Sequence, residues 1–248
     1  MADFVVVIPA RYESTRLPGK PLRDIAGQPM IRHVCDRANE SAATEVIVAT
    51  DDERIADAVE GFGGTVCMTG RHHQSGTERI AEVAELCDWP DDTIVVNLQG
   101  DEPAMPAIVL DECANLLQQS GADIATLASP LNSVDDFHNP NVVKVVRSDA
   151  GDALYFSRAS IPFARDAGSD EEAMQLALHH HGIYAYRCSA LHRFVAAPSS
   201  RLERIEALEQ LRALSIGMRI AVAIPSVRPG AGVDTEADLA TAEAELSD

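Results

Sequence analysis

Lysine is nearly missing from this chain. Only Lys20 and Lys144 occur among 248 residues whose formal net charge is −19. Such acidity excludes a general affinity for nucleic acid or an anionic membrane, because both would be repelled by the molecule as a whole. A nucleotide is not excluded, since it responds to the charges within a Debye length of about 8–10 Å. A salt-adapted or GC-rich host would also produce this composition without reference to function. The five cysteines (Cys35, Cys67, Cys87, Cys113, Cys188) include no Cys-x-x-Cys pair. A dispersed, odd-numbered set reads as reduced thiols in a cytoplasmic protein. No basic leader is present at the N-terminus, and no apolar run approaches the length of a membrane span. The phosphate-binding glycine fingerprints are also missing: Gly19-Lys20 is followed by Pro21, where a P-loop requires Ser or Thr. These absences weigh against a dehydrogenase or an ATPase. There is no credible Ser-His-Asp or Cys-His nucleophile arrangement either.

A hydrophobic content of 46% supports a well-buried core, and the length fits one large α/β domain or a domain with a sizeable insertion. Phe4–Pro9, Glu45–Thr50, Thr65–Met68 and Thr93–Gln99 read as strands, separated by amphipathic helices over Met30–Asn39, Asp52–Phe62 and Thr77–Cys87. Ser75 and Glu78 have capping-box spacing at the third helix. The alternation implies a parallel sheet with right-handed crossovers and a ligand site beyond the carboxyl ends of its strands. Farther on, Asp123–Ala128, Val142–Arg147, Ala153–Phe156, His181–Arg187 and Arg219–Ile224 read as strands, with helices over Arg201–Leu214 and Thr235–Leu246. Strands between 142 and 187 without matching helices predict an antiparallel insertion, which would cover an active site or form a dimer interface. The expected organisation is a single domain over residues 1–248 with this lobe at about 130–190.

The loop after the first strand carries Arg11, Arg16 and Lys20, with Pro18 and Gly19 to bend it. Side-chain cations here suit a polyphosphate, Arg as a bidentate fork and Lys as a compact charge; the same residues would also suit a solvated loop with surface ion pairs. Asp101, just beyond a buried strand, is a candidate Mg²⁺ ligand, because Mg²⁺ is shared between carboxylates and phosphates; Gly100-Asp101 is equally turn chemistry. Asp234 is a possible second ligand. With Thr235 and Asp238 spaced as a capping box, Asp234 is left to face another partner. The adjacent His179, His180 and His181 alternate in direction on a strand, which is poor geometry for zinc. One imidazole facing substrate and a simple strand-edge cluster remain equal alternatives. Arg158, Arg165, Glu209 and Gln210 suit either a polar substrate or an ordinary surface.

Taken together, the segments Ile8–Leu22, His73–Arg79, Val96–Pro103, Asn139–Lys144, Tyr155–Arg158, Gly182–Tyr184, Leu208–Arg212 and Gly232–Thr235 resemble the 3-deoxy-manno-octulosonate cytidylyltransferases, or CMP-Kdo synthetases. The resemblance covers nearly the whole chain. It implies a Rossmann-like α/β nucleotidyltransferase fold with a mainly parallel sheet and a smaller antiparallel insertion. It also implies a Mg²⁺-dependent cytoplasmic homodimer that transfers CMP from CTP to Kdo, releases pyrophosphate and serves lipopolysaccharide synthesis. By resemblance, Arg11, Arg16 and Lys20 bind the CTP phosphates, and Gln74, Ser75 and Gly76 lie near the nucleotide. Asp101 and Asp234 hold Mg²⁺, and together with Lys20 and Arg16 form the catalytic set. Gln99, Arg158, Arg165, His180, Tyr184, Glu209 and Gln210 line the sugar-acid pocket. One departure is Phe163, where the family pattern leads one to expect Trp. Rival expectations are a cytidylyltransferase for 8-amino-Kdo or sialic acid, a metal-dependent glycosyltransferase, and a non-catalytic nucleotide-binding regulator.

Overall fold

The computed structural model describes residues 2–13, 17–165, 170–230 and 232–246. β1 (Phe4–Ala10) leads through a short 3₁₀ turn at Lys20–Leu22 to a small hairpin, β2 (Asp24–Ile25) and β3 (Gln28–Pro29). There follow α1 (Met30–Asn39), β4 (Glu45–Thr50), α2 (Glu53–Gly61), β5 (Thr65–Met68), α3 (Gly76–Leu86) and β6 (Ile94–Asn97). Next come α4 (Ala107–Ser120), β7 (Ile124–Pro130), α5 (Val134–His138), β8 (Lys144–Arg147), β9 (Ala153–Ser157) and α6 (Asp170–Met174). The remainder is β10 (Leu178–Arg187), α7 (Cys188–Ala196), α8 (Arg201–Glu206), α9 (Gln210–Ser215), β11 (Ile220–Ala223) and α10 (Glu236–Leu246).

Nine strands form one sheet, in the order β11-β7-β10-β6-β1-β4-β5 with β8 and β9 attached through β10. β1 pairs in parallel with both β4 and β6. The chain thus winds outward from β1 to β4 and β5, then returns to lay β6 on the other side of β1. That reversal opens a crevice at the carboxyl ends of β1 and β6, the usual ligand position in an open α/β sheet. Val6, Val7 and Ile8 expose no surface, as expected for a strand covered on both faces. Alternate residues supply the two layers. Val6, Ile8 and Val96 pack with α1, α2 and α4, while Val5, Val7 and Val95 pack with α3, α7 and α9.

The α/β reading holds, and β4, β5 and α1 have the limits read from the sequence. Other elements differ. β10 begins at Leu178 and runs antiparallel between β6 and β7, so it belongs to the main sheet as well as to the insertion. The helix expected over Arg201–Leu214 is broken into α8 and α9, because Ala207 adopts a left-handed conformation (φ 50°) and Leu208 turns inward to the core. The helices α4 and α7 were not anticipated. α4 buries Val109, Leu110, Cys113, Ala114 and Leu117, which blurs its polar-apolar periodicity.

Candidate active site

A cavity of about 690 Å³ lies at the β1–β6 crevice, lined by Arg11, Tyr12, Lys20, Gln74, Ser75, Gly76, Arg79, Gln99, Gly100, Asp101 and Asp234 among others. Three connections bring these together. The loop after β1 is closed where the Gly19 N–H donates to the Tyr12 carbonyl at 3.2 Å, which sets Lys20 at the start of the 3₁₀ turn. Gly100 lies so near β1 that a Cβ there would meet the Pro9 carbonyl oxygen at 2.9 Å, so the segment carrying Asp101 can lie against β1 only without a side chain at 100. The Val233 N–H donates to the Asp101 carbonyl at 2.8 Å, and the fully buried Val233 side chain packs with Leu17, Ile25 and Met30. Asp234 is thereby delivered beside Asp101. Asp238 accepts from the backbone N–H groups of Asp234 and Thr235 at 3.0 and 2.8 Å, which starts α10.

In the cavity wall the Lys20 ammonium donates to Asp101 Oδ2 at 2.6 Å and to Asp234 Oδ1 at 2.9 Å. Burial alone would lower its pKa, but Asp101 and then Asp234 outweigh burial and hold it above the ordinary lysine value. Two carboxylates from distant parts of the chain already converge on one cation. That donor set suits Mg²⁺, which commonly takes one or two carboxylates and completes its shell with phosphate and water. Among the described residues no group of three metal-ligating side chains is present. The neighbouring Glu102 carboxyl is pushed up to about 8 by burial and by Asp101, against the pull of Lys20. It therefore carries a proton near neutrality and adds no third full negative charge to the pair.

The N-terminus of α3 lines the same cavity as the carboxylates. Ser75 caps it, accepting from the Glu78 N–H at 3.2 Å, and spends its own proton on Glu209 Oε1 at 2.7 Å. What this end offers an anionic ligand is thus the first-turn backbone N–H groups rather than the serine hydroxyl. Thr77 bonds the other oxygen of Glu209 at 2.8 Å, yet burial prevails over both hydroxyls and raises the Glu209 pKa. Gln99 continues the wall by donating to Asn97 Oδ1 at 3.0 Å, and Asn97 faces Tyr184 across the β6–β10 ladder. The Tyr184 ring stands 5.2 Å from that of His180. A polar strip therefore runs along one sheet face from the cavity toward the lobe.

The expected site residues that the structure describes fall into three sets. Arg11, Lys20, Gln74, Ser75, Gly76, Gln99, Asp101 and Asp234 line the cavity. Tyr184 and His180 lie along the strip just described, and Glu209 is bonded to Ser75 and Thr77 at the start of α3, with Gln210 buried beside it at the start of α9. Arg158 and Arg165 are not in the cavity wall. The Arg158 guanidinium instead donates to the main-chain carbonyls of Glu206, Pro140 and Ala207 at 2.8, 3.0 and 3.3 Å, bracing β9 against the α8–α9 corner. Arg165 is exposed in the segment after β9. Arg16 lies outside the described residues. Two cavity neighbours were missed by sequence reasoning. Arg79 is only 4% exposed and reaches Asp51 at 3.1 Å from the mostly apolar buried face of α3; a charge on that face was the available signal. Glu102 resembled part of a turn.

His179 and His181 point the same way, their rings 5.0 Å apart, while His180 packs edge-on against Phe156 at 5.1 Å. Burial and the neighbouring imidazoles push His180 down to about 3; burial, His179 and Arg228 do the same to His181. Their pKa values are depressed on folding, so the unfolded chain binds more protons between pH 6.5 and 3, and stability must fall as the pH drops through that window. From pH 6.5 to 5 the expected slope is about 1.4–2.7 kcal/mol per pH unit, for one to two protons. Urea unfolding at pH 7 and pH 5 tests this, and replacing His181 by Leu should flatten the dependence.

No helix among the described residues is long and apolar enough to cross a membrane. Residues 5–220 match the cytidylyltransferase family. A solved structure of CMP:2-keto-3-deoxy-manno-octonic acid synthetase complexed with CTP is similar at 44% identity, covering 99% of each chain with a TM-score of 0.88. The fold alone is shared with 4-diphosphocytidyl-2C-methyl-D-erythritol synthase, at 16% identity and a TM-score of 0.63, covering 99% of this chain and 100% of that one. A cytidylyltransferase from Leptospira borgpetersenii serovar Hardjo-bovis (strain JB197) shares it too, at 18% identity and a TM-score of 0.63, covering 100% of this chain and 87% of the other. With the converging cation and carboxylates at the sheet's switch point and a family match over most of its length, this chain belongs to the cytidylyltransferase family of nucleotidyltransferases.

Proposed function

We propose that this enzyme transfers CMP from CTP to the anomeric hydroxyl of Kdo, releasing pyrophosphate and activating the sugar for lipopolysaccharide synthesis. The observation that carries the reading is the convergence of Lys20, Asp101 and Asp234 at the mouth of the β1–β6 crevice. The 44% identity to a CMP-Kdo synthetase supports the choice of sugar. Arg11 and Lys20 offset the triphosphate charge, and the first-turn N–H groups of α3, which line the same cavity, add donors. The Kdo hydroxyl oxygen attacks the α-phosphorus in line, the bond from that phosphorus to the bridging oxygen breaks, and the pair of electrons leaves with pyrophosphate. Lys20 is placed to offset charge on the transferring group and on the leaving oxygen. The hydroxyl proton passes to a carboxylate or to water. Asp101 and Asp234 would hold Mg²⁺, which when bound supplies Lewis-acid charge at the phosphates and lowers the pKa of the attacking hydroxyl. The strip from Gln99 through Asn97 to Tyr184 and His180 receives the sugar acid.

The assembly proposed is a homodimer in the cytoplasm. Leu154, Phe163 and Leu176, in the lobe segment, are 62, 86 and 68% exposed, and a dimer formed through the lobe would cover them. All five cysteines are free thiols. Incubation with Mg²⁺, a panel of nucleotides and a panel of sugar acids is expected to release pyrophosphate only with CTP and Kdo together. Release with sialic acid or 8-amino-Kdo in preference to Kdo, or binding of CTP without turnover, would overturn the assignment.

A further inference from the structure

The ladder between β7 and β10 is interrupted. His180 pairs with Ala128 and Tyr184 with Thr126, so three residues of β10 bulge opposite the single residue Leu127. Thr126, with no exposed surface, spans this bulge with its hydroxyl. Its oxygen lies 2.6 Å from the Ile183 carbonyl oxygen and 2.9 Å from His180 Nε2. A hydroxyl has one proton, and a carbonyl only accepts. The Thr126 proton therefore goes to Ile183, and the contact with His180 requires the ring to donate. The proton of the neutral imidazole is thereby assigned to Nε2, and Nδ1 carries the lone pair. No other side-chain hydrogen bond to the His180 ring exists among the described residues. The only fully sealed side-chain polar atom without a partner there is His192 Nε2, so His180 Nδ1 keeps some accessible surface although the residue as a whole is only 8% exposed. The ring lies beside Tyr184 on the sheet face that continues through Asn97 to Gln99 and the cavity.

We propose that Thr126 is a positioning residue that fixes His180 as the Nε2–H tautomer and presents Nδ1 as an acceptor for a hydroxyl of the sugar-acid substrate. The inference rests on the sugar-acid reading given above. A lone pair at this place repels a carboxylate and pairs with an O–H, so it selects the hydroxyl-bearing part of the ligand. Burial and the flanking imidazoles of His181 and His179 keep the ring neutral near pH 7, preserving that lone pair.

The test is imidazole nitrogen NMR on the full chain labelled with ¹⁵N-histidine, with His180 assigned from the spectrum of His180→Gln. Wild type should show a protonated Nε2 and an unprotonated Nδ1, and the Nδ1 resonance should move when Kdo and a non-hydrolysable CTP analogue are added. Thr126→Val should give mixed tautomers and raise KM for Kdo about 2- to 10-fold, the range of one hydrogen bond, with KM for CTP unchanged. Thr126→Ser should restore both. A proton on Nδ1 in wild type overturns the proposal, and so does an Nδ1 resonance that ignores the ligands in an enzyme that turns over. If Thr126→Val does not fold, the wild-type spectrum decides alone. Should wild type show Nε2–H yet release no pyrophosphate with Kdo, the tautomer lock stands and the sugar-acid reading falls, taking the acceptor role with it.

Discussion

Replacing Lys20 with alanine is expected to lower kcat for pyrophosphate release by about 100- to 1000-fold, the scale of removing one preorganised charge from a transition state. KM for Kdo should change less than about threefold, because the Lys20 ammonium bonds Asp101 and Asp234 and none of the strip residues Gln99, Asn97, Tyr184 and His180. Two effects combine in this variant. The transferring phosphoryl group loses a cation held in position by bonds of 2.6 and 2.9 Å. Asp101 and Asp234 also lose the charge that offsets their mutual repulsion. Lys20→Arg should recover little, since a planar fork does not fit between two carboxylates arranged around a compact ammonium. Steady-state kinetics with CTP and Kdo varied separately checks this, and an unchanged kcat would remove Lys20 from the mechanism.

Asp234→Asn should act through the metal dependence. Asparagine keeps the shape, and the loop stays anchored because the Val233–Asp101 and Asp234–Asp238 hydrogen bonds are made by backbone N–H groups at 233 and 234. Half of the anionic donor pair is nevertheless gone. The Mg²⁺ concentration for half-maximal rate should rise at least about tenfold, and kcat/KM at fixed Mg²⁺ should fall about 100-fold. Circular dichroism should remain that of wild type. A metal titration identical to wild type would show that Asp234 serves only as a partner for Lys20.

What the sequence disclosed followed from local physics. The buried run at Phe4–Pro9 and the capped start of α3 depend on near neighbours, and Ser75 does accept from the N–H group of Glu78. The loop cations and the carboxylates at 101 and 234 could be named because their residue types are unusual after a buried strand or before a helix. What remained hidden depends on contacts between distant segments. Nothing near Glu209 announces that Ser75 and Thr77, more than 130 positions away, will occupy both of its oxygens. Arg158 looks like a ligand arginine, yet three main-chain carbonyls from two other segments occupy it. The break in the helix at Ala207 arises because Leu208 is drawn into the core, which amphipathic spacing does not reveal.

β10 has a mechanical consequence. Its first residues pair with β8 in the lobe, through Leu178 and His179, and its last residues pair with β6, down to Arg187 opposite Ile94. Lobe and core thus share a single beam, and the two cannot swing apart like jaws without tearing a ladder of main-chain bonds. The spacing between the carboxylates and the histidine strip is accordingly set by strand register, as a ruler sets a distance. The beam has one joint, the bulge between His180 and Tyr184, where Gly182 passes through φ 72°. Thr126 is the rivet across that joint. Accommodating a ligand therefore falls to side chains and to the loops at the strand ends, while the frame between them stays at fixed width.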